Sequence, residues 1–200
     1  AAFLTTLYVP IVAIMSRFIF KSQLFWMIWV AVLLCVYGSY LLTSNQTLEI
    51  QKSDGLLFLS GVFFAFHIIL IDIFMKKFSS PFSFAFIQYT IVFILSFIVA
   101  IIFENPSLIN IRLEWFEIIY CGIMSTGVAY TIQIVAQGKA NPAPAAIILS
   151  MESVFAAIAG WIIMEQYIDN YKLFGCLCIF IGVILVQLMP IYIKQSNKIK

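Results

Sequence analysis

Phe82-Ser-Phe-Ala-Phe-Ile-Gln-Tyr-Thr-Ile-Val-Phe-Ile-Leu-Ser-Phe-Ile-Val-Ala-Ile-Ile-Phe103 contains no Asp, Glu, Lys or Arg. A bilayer core takes about 20 apolar residues per helix, so this run alone is long enough to cross one. Ser79-Ser80-Pro81 stands before it as a cap followed by a first-turn proline, and Asn105-Pro106 ends it. Working outward, the same pattern recurs. Apolar runs cover residues 1–20, 24–43, 56–75, 82–103, 115–137, 143–164 and 172–193. Ser44-Asn45-Gln46 closes the second run and Asn141-Pro142 opens the sixth. The expected fold class is all-α, a polytopic membrane protein with seven transmembrane helices.

Composition excludes the alternatives. Of 200 residues, 64% are hydrophobic and 10% are charged, where a soluble domain carries about a quarter charged. So few charges cannot cover a water-facing surface, and a disordered chain needs the opposite balance. The mean hydropathy is +1.07. The net charge of +2 brings no basic patch beyond Lys76-Lys77 and the C-terminal lysines, which excludes nucleic acid as a partner. The chain starts at Ala1 inside an apolar run, without the charged segment of a signal peptide, and is read as an N-terminally truncated fragment. Cys35, Cys121, Cys176 and Cys178 all fall in apolar runs and read as reduced thiols. Cys176 and Cys178 point to nearly opposite sides of a helix with no other soft ligand nearby, so neither a metal nor another cofactor is expected.

Loop charge sets the orientation. One set of span ends holds Arg17, Lys21, Lys76, Lys77, Lys139, Lys194, Lys198 and Lys200; the other holds Lys52, Arg112 and Lys172. Glu49, Asp54, Glu104, Glu114, Glu117, Glu165 and Asp169 all lie on the second side. The first side is therefore cytoplasmic, as is the C-terminus, and the protein is expected to be multi-pass in the inner (plasma) membrane.

Residues 1–42 also align with 145–186 at a constant offset of 144. Eight of the 42 positions are identical, among them Ala13 with Ala157, Ile14 with Ile158 and Gly38 with Gly182. Lys21 falls opposite Glu165, a basic turn against an acidic one, as two copies of opposite orientation require. The copies start five spans apart, an odd number, which forces inversion. Inverted repeats mark secondary transporters. Residues 1–43 then form the last two helices of a truncated first unit, 55–193 a second unit of five helices, and 194–200 a cytoplasmic tail. A complete first unit would begin about 90 residues before Ala1 and add three spans, giving a ten-helix 5+5 parent.

Ala2-Phe-Leu-Thr-Thr-Leu-Tyr-Val9 followed by a basic turn resembles the fourth helix of the EamA-type drug/metabolite transporters. Asp54-Gly-Leu-Leu with Phe63-Phe-Ala65 is similar to the start of their second unit. Gly127-Val-Ala-Tyr-Thr-Ile-Gln133 with Ala136-Gln137 is similar to their eighth helix. Pro144-Ala-Ala-Ile-Ile-Leu-Ser-Met-Glu152-Ser-Val-Phe-Ala156, then Glu165, resembles their ninth. The resemblance covers the whole chain as helices four to ten. It implies a carrier of metabolites, amino acids or xenobiotics, usually outward. One departure is Ser153, where the family often has proline after the glutamate.

An ionisable side chain at the bilayer centre costs about 2.5–3.5 kcal/mol, so such residues read first as functional. Glu152 is the tenth residue of the 22-residue sixth run, followed by small Ala156, Ala159 and Gly160. It reads as a proton-titrating or substrate-orienting carboxylate, or equally as a structural one bonded to a neighbouring helix. His67, twelfth of 20 in its run, could meet substrate, though an interhelical hydrogen bond explains it more simply. Asp72 stands four residues before Lys76, an ordinary i,i+4 pair. Thr126, Tyr130, Gln133 and Gln137 follow i, i+4, i+7, i+11 on one helical face. Such a stripe should face protein or water. With Gln88 and Tyr89 it suggests a polar cavity reached from the cytoplasm. Pro10, mid-run, should kink its helix.

The expected substrate-binding set is His67, Gln88, Tyr89, Thr126, Tyr130, Gln133 and Glu152. The expected partners are a small-molecule substrate and membrane lipid, with a homodimer left open. Competing classes fit less well. A retinal protein needs a mid-span lysine, and none is present. An intramembrane protease needs a Ser–His pair in a glycine-rich frame or two aspartates, and no catalytic residue is assigned; the chain reads as no enzyme. A channel lacks its glycine-rich filter. A seven-helix receptor-like or non-transporting membrane protein is the alternative to the carrier.

Overall fold

The computed structural model describes residues 6–20, 25–43, 52–78, 80–103, 108–165 and 168–199. Ala1, Ala2, Lys21, the Ser44-Asn45-Gln46 break, Glu49, Ser79, Glu104, Asn105-Pro106 and Lys200 lie outside them. The regular structure of the described residues is helical: α1 Tyr8–Ile19, α2 Trp26–Thr43, α3 Lys52–Phe78, α4 Pro81–Phe103, α5 Leu108–Leu113 and α6 Trp115–Tyr120. A π-helical stretch Cys121–Tyr130 follows, then α7 Thr131–Gln137, α8 Pro142–Leu149, α9 Met151–Met164 and α10 Asn170–Ile199. In hydrocarbon each backbone N–H and C=O must be satisfied within its own segment, which makes the helix the default for these sequences.

Six spans among the described residues are long and apolar enough to cross a membrane: Trp26–Thr43, Gly55–Phe78, Pro81–Phe103, Trp115–Gln137, Pro142–Met164 and Asn170–Leu188. α1 is apolar but has 12 described residues; the rest of the first expected run includes residues outside the description. Pro10 is the third residue of α1, just after a turn at Leu7 that separates α1 from helical Thr6. α10 continues to Ile199, so the segment expected as a tail from residue 194 begins inside a helix.

The chain divides into two compact units, residues 1–70 with 141–200, and residues 71–140. The first has a core of small and branched side chains. Val9, Val12 and Ala13 of α1, Ala31, Val32 and Cys35 of α2, Ala65 and Ile68 of α3, Ala146 and Ile147 of α8, and Ile179 of α10 are all buried. Its tightest seam joins α2 to α10. A methyl group added at Gly38 would sit 2.6 Å from the Gly175 carbonyl oxygen, and one added at Gly175 would sit 2.6 Å from the Gly38 carbonyl oxygen. At Gly182 the neighbours are the Ala31 carbonyl oxygen and Cys35 Sγ, both 3.1 Å away. Gly38 meets Gly175 while Ala31 meets Gly182, so the two helices run antiparallel. Absent side chains let the backbones approach this closely, as in small-residue packing of membrane helices.

The second unit is packed lightly. Ile71 and Met75 at the end of α3, Ala85 of α4 and Ile134 of α7 form its core, flanked by Phe84 and Tyr89. The Tyr89 and Thr131 hydroxyls share a hydrogen bond of 2.9 Å between α4 and α7. Phe82, Phe86, Phe93, Phe97 and Phe103 leave α4 apolar and exposed along its whole length. That surface fits lipid tails rather than water. Asp72, 2% exposed, is bonded to Lys76 at 2.8 Å, the i,i+4 pair its spacing suggested.

Candidate functional site: two polar clusters at membrane depth

The expected site residues fall in both units. His67 and Glu152 belong to the first; Gln88, Tyr89, Thr126, Tyr130 and Gln133 belong to the second.

In the first unit the span carrying Glu152 tightens by a turn immediately before it. α8 ends at Leu149 and α9 starts at Met151, with Ser150 forming a tight turn between them. The Ser150 N–H reaches the Ala146 and Ile147 carbonyls, and its hydroxyl donates to the Ile147 carbonyl at 2.6 Å. Ser150 Oγ also lies 3.4 Å from Cys35 Sγ on α2. Ser150 keeps right-handed helical angles (φ −62°, ψ −15°) and is buried. Asn141, extended at φ −74° and ψ 150°, and Pro142 at the first helical position set the start of this span.

Glu152 itself is accessible. Tyr8 of α1, in the same unit, is buried. Tyr8 packs edge-on against Phe64 of α3 at 4.9 Å between ring centres, and Phe64 lies 5.9 Å from the His67 ring one turn further along. His67 is half-buried. Tyr8, Phe64 and His67 thus form one aromatic row from α1 and α3, while Ser150 binds Ile147 and Cys35 in the same unit. The sequence reading had singled out His67 and Glu152 but missed Tyr8 and Ser150. A signal for Tyr8 was present: at the 144-residue offset it is the counterpart of Glu152.

In the second unit Tyr89 is tied to Thr131, the residue next to Tyr130. Gln88, Tyr130 and Gln133 are half-buried, Gln137 is buried, and Thr126 is exposed. The expected single polar stripe is altered by the winding. Cys121–Tyr130 is π-helical, so Thr126 and Tyr130 do not keep the α-helical register with Gln133 that the spacing assumed. Gln133 Nε2 is buried and has no hydrogen-bond partner among the described residues. Leaving such a donor unmade costs about 1–3 kcal/mol, and π-helical segments concentrate at functional sites. Among the described residues, no three of His, Cys, Asp and Glu gather in a metal-binding group.

Six membrane-length spans among the described residues define a multi-pass helical membrane protein. The sequence pattern of the EamA-like transporter family matches residues 51–188, well over half of the chain. The chain belongs to the EamA-like transporter family. It is also 29% identical over 192 residues to an uncharacterized transporter of Archaeoglobus fulgidus, an alignment covering 94% of this chain. The chain spans 60% of that relative's length.

Proposed function

We propose that the chain is the membrane carrier portion of a secondary exporter, moving a small metabolite, amino acid or drug by alternating access. In this reading it supplies the last seven helices of a ten-helix inverted repeat, sits in the inner membrane and has a cytoplasmic C-terminus. The candidate substrate-binding residues are His67 and Glu152 in one unit and, taken separately, Gln88, Tyr89, Thr126, Tyr130 and Gln133 in the other.

The observation that carries the repeat is the α2–α10 seam. Moving Gly38 forward by the 144-residue offset gives Gly182, and moving Gly175 back by it gives Ala31. The Gly38–Gly175 contact therefore converts into the Ala31–Gly182 contact, and both occur. Two helices that exchange under the repeat and pack antiparallel behave as a pair about a local two-fold axis, the arrangement of inverted-repeat transporters. The relative's greater length and the sorting of Arg17, Lys76, Lys77 and Lys139 from Glu114, Glu117, Glu165 and Asp169 support the same reading.

The test is the composition of the growth medium. Cells expressing the complete reading frame should enrich at least one small solute outside relative to cells expressing the Glu152→Gln protein at equal membrane levels. An identical extracellular profile across polar and apolar metabolites would sink the exporter.

A further inference from the structure

We propose that the corner of the second unit where α3 ends, α4 begins and α7 ends is a binding site for an anionic phospholipid. Its headgroup is drawn to Lys76, Lys77 and Lys139, and its acyl chains lie along α4. Such binding needs no transport and is independent of the carrier reading above.

The geometry of the corner is the first argument. α3 stops at Phe78 and α4 starts at Pro81, so both helix ends lie at one end of the unit. Phe74 of α3 holds them together, its ring centre 4.6 Å from those of Phe78 and of Phe84 on α4. The end of α7 joins them. A methyl group added at Gly138 would sit 3.1 Å from Met75 Cε and 3.5 Å from Met75 Cβ. Lys76 follows Met75 and Lys139 follows Gly138, so lysines from two separate spans meet at this corner. All three are exposed. Lys76 and Lys77 end the span Gly55–Phe78, and Lys139 comes just after the span Trp115–Gln137. That is the level of the headgroups, where the hydrocarbon stops. Lys77 Nζ lies 5.3 Å from the centre of the exposed Phe78 ring, an aromatic and a lysine side by side as at membrane interfaces.

The balance of charge is the second argument. Among the described residues the acid of this corner is Asp72, and it is bonded to Lys76 at 2.8 Å. Lys77 and Lys139 have no carboxylate partner among the described residues. The opposite end of the same unit has Arg112 with Glu114 and Glu117, an excess of negative charge. An anion is therefore drawn to one end of the unit only. A soluble phosphate would answer the lysines but not the surface beside them. From the corner toward mid-span, α4 leaves Phe82 71% and Phe86 72% exposed. They stand four residues apart on one helical face, with Phe93 beyond them at 67%. A cationic cap above an apolar aromatic wall is the complement of a negatively charged head on two hydrocarbon chains.

The experiment is native mass spectrometry of the protein expressed from its complete reading frame, titrated in detergent with dioleoylphosphatidylglycerol. Dioleoylphosphatidylcholine, with the same chains and no net charge, is the control and should bind more weakly. Lys77→Gln and Lys139→Gln should each weaken phosphatidylglycerol about fivefold, and together about twentyfold, leaving phosphatidylcholine unchanged. Lys76 stays in place, because its removal would strand the buried Asp72 carboxylate. Lys77→Arg with Lys139→Arg keeps the charge and should bind as the parent does, which separates lost charge from lost fold. Arg112→Gln, at the other end, should change nothing. Glycerol 3-phosphate, a headgroup without chains, should not displace the lipid at equal concentration. The proposal is overturned if the double glutamine variant holds phosphatidylglycerol as tightly as the parent, or if phosphatidylcholine binds equally well. It is also overturned if Arg112→Gln costs as much as the double variant. Equal competition by glycerol 3-phosphate would overturn it in favour of a soluble phosphate.

Discussion

In the unit of residues 1–70 and 141–200, α2 and α10 touch backbone to backbone, with Gly38, Gly175 and Gly182 where any side chain would collide. In the unit of residues 71–140, among the described residues, a methyl group added at Gly122 meets nothing within 4 Å, and one at Gly127 meets only the Gly122 carbonyl at 3.4 Å. Both regions are equally apolar in sequence, so hydrophobicity does not separate them. Lipid tails solvate a leucine as well as a protein interior does, and association must come from close packing and hydrogen bonds. Where small residues line up, as at Ala31, Cys35 and Gly38, a rigid seam forms. Where Phe and Ile dominate, as along α4, the helix stays open to its surroundings and relies on a few contacts such as Tyr89–Thr131.

The sharpest way to break this contrast is to add one methyl group to the seam. Gly38→Ala and Gly175→Ala should each destabilise the protein by about 2–3 kcal/mol, because the opposing atoms are backbone oxygens that cannot rotate away. At Gly182 the nearest atoms stand at 3.1 Å, and the loss should be smaller, about 1 kcal/mol. Unfolding in mixed micelles against a denaturing detergent would rank the three. Equal small effects at all three positions would mean the helices do not approach as closely as 2.6 Å implies. The double substitution at Gly38 and Gly175 should lose less than the sum, since both methyls strain one contact.

The spans themselves were legible because length and missing charge decide them. Expected runs at 82–103, 115–137 and 143–164 end within a residue of Pro81–Phe103, Trp115–Gln137 and Pro142–Met164. α3 and α10 overrun their expected limits, to Lys52–Phe78 and Asn170–Ile199. Hydropathy marks the hydrocarbon, whereas a helix can continue through the polar interface beyond it. The Asp72–Lys76 pair was legible from spacing alone because both residues sit on one helix. The π-helical winding of Cys121–Tyr130 was not legible, since an altered register leaves no apolar signature. Tyr8 was missed for a related reason. A tyrosine in an apolar run reads as packing until the fold shows which ring stands beside it.

A middle-sized effect is expected where the second unit relies on a hydrogen bond. Tyr89→Phe removes the hydroxyl that meets Thr131 and keeps the ring. Interhelical hydrogen bonds in membranes average about 0.6 kcal/mol, so the same unfolding assay should record a loss of that order. Thr131→Val, which removes the other half of the pair, should match it, and the double substitution should add little. Losses of several kcal/mol would show this bond to be as structural as the glycine seam and would erase the contrast between the units.

The smallest effect is the most diagnostic of openness. Gly122→Ala adds a methyl group into empty space at the start of the π-helical stretch. Alanine is favoured over glycine inside a helix by about 0.8–1.0 kcal/mol in water. The gain should be reduced to about 0.5 kcal/mol or less here, because that scale was set by regular α-helices. The expected result is therefore a neutral or slightly more stable protein, with the proposed export unchanged. A loss above about 1 kcal/mol would require a partner against this face, since a methyl group with no neighbour has nothing to strain. Unchanged stability with altered export would instead tie the winding of this stretch to the transport cycle, because glycine and alanine there differ only in how readily the backbone changes register.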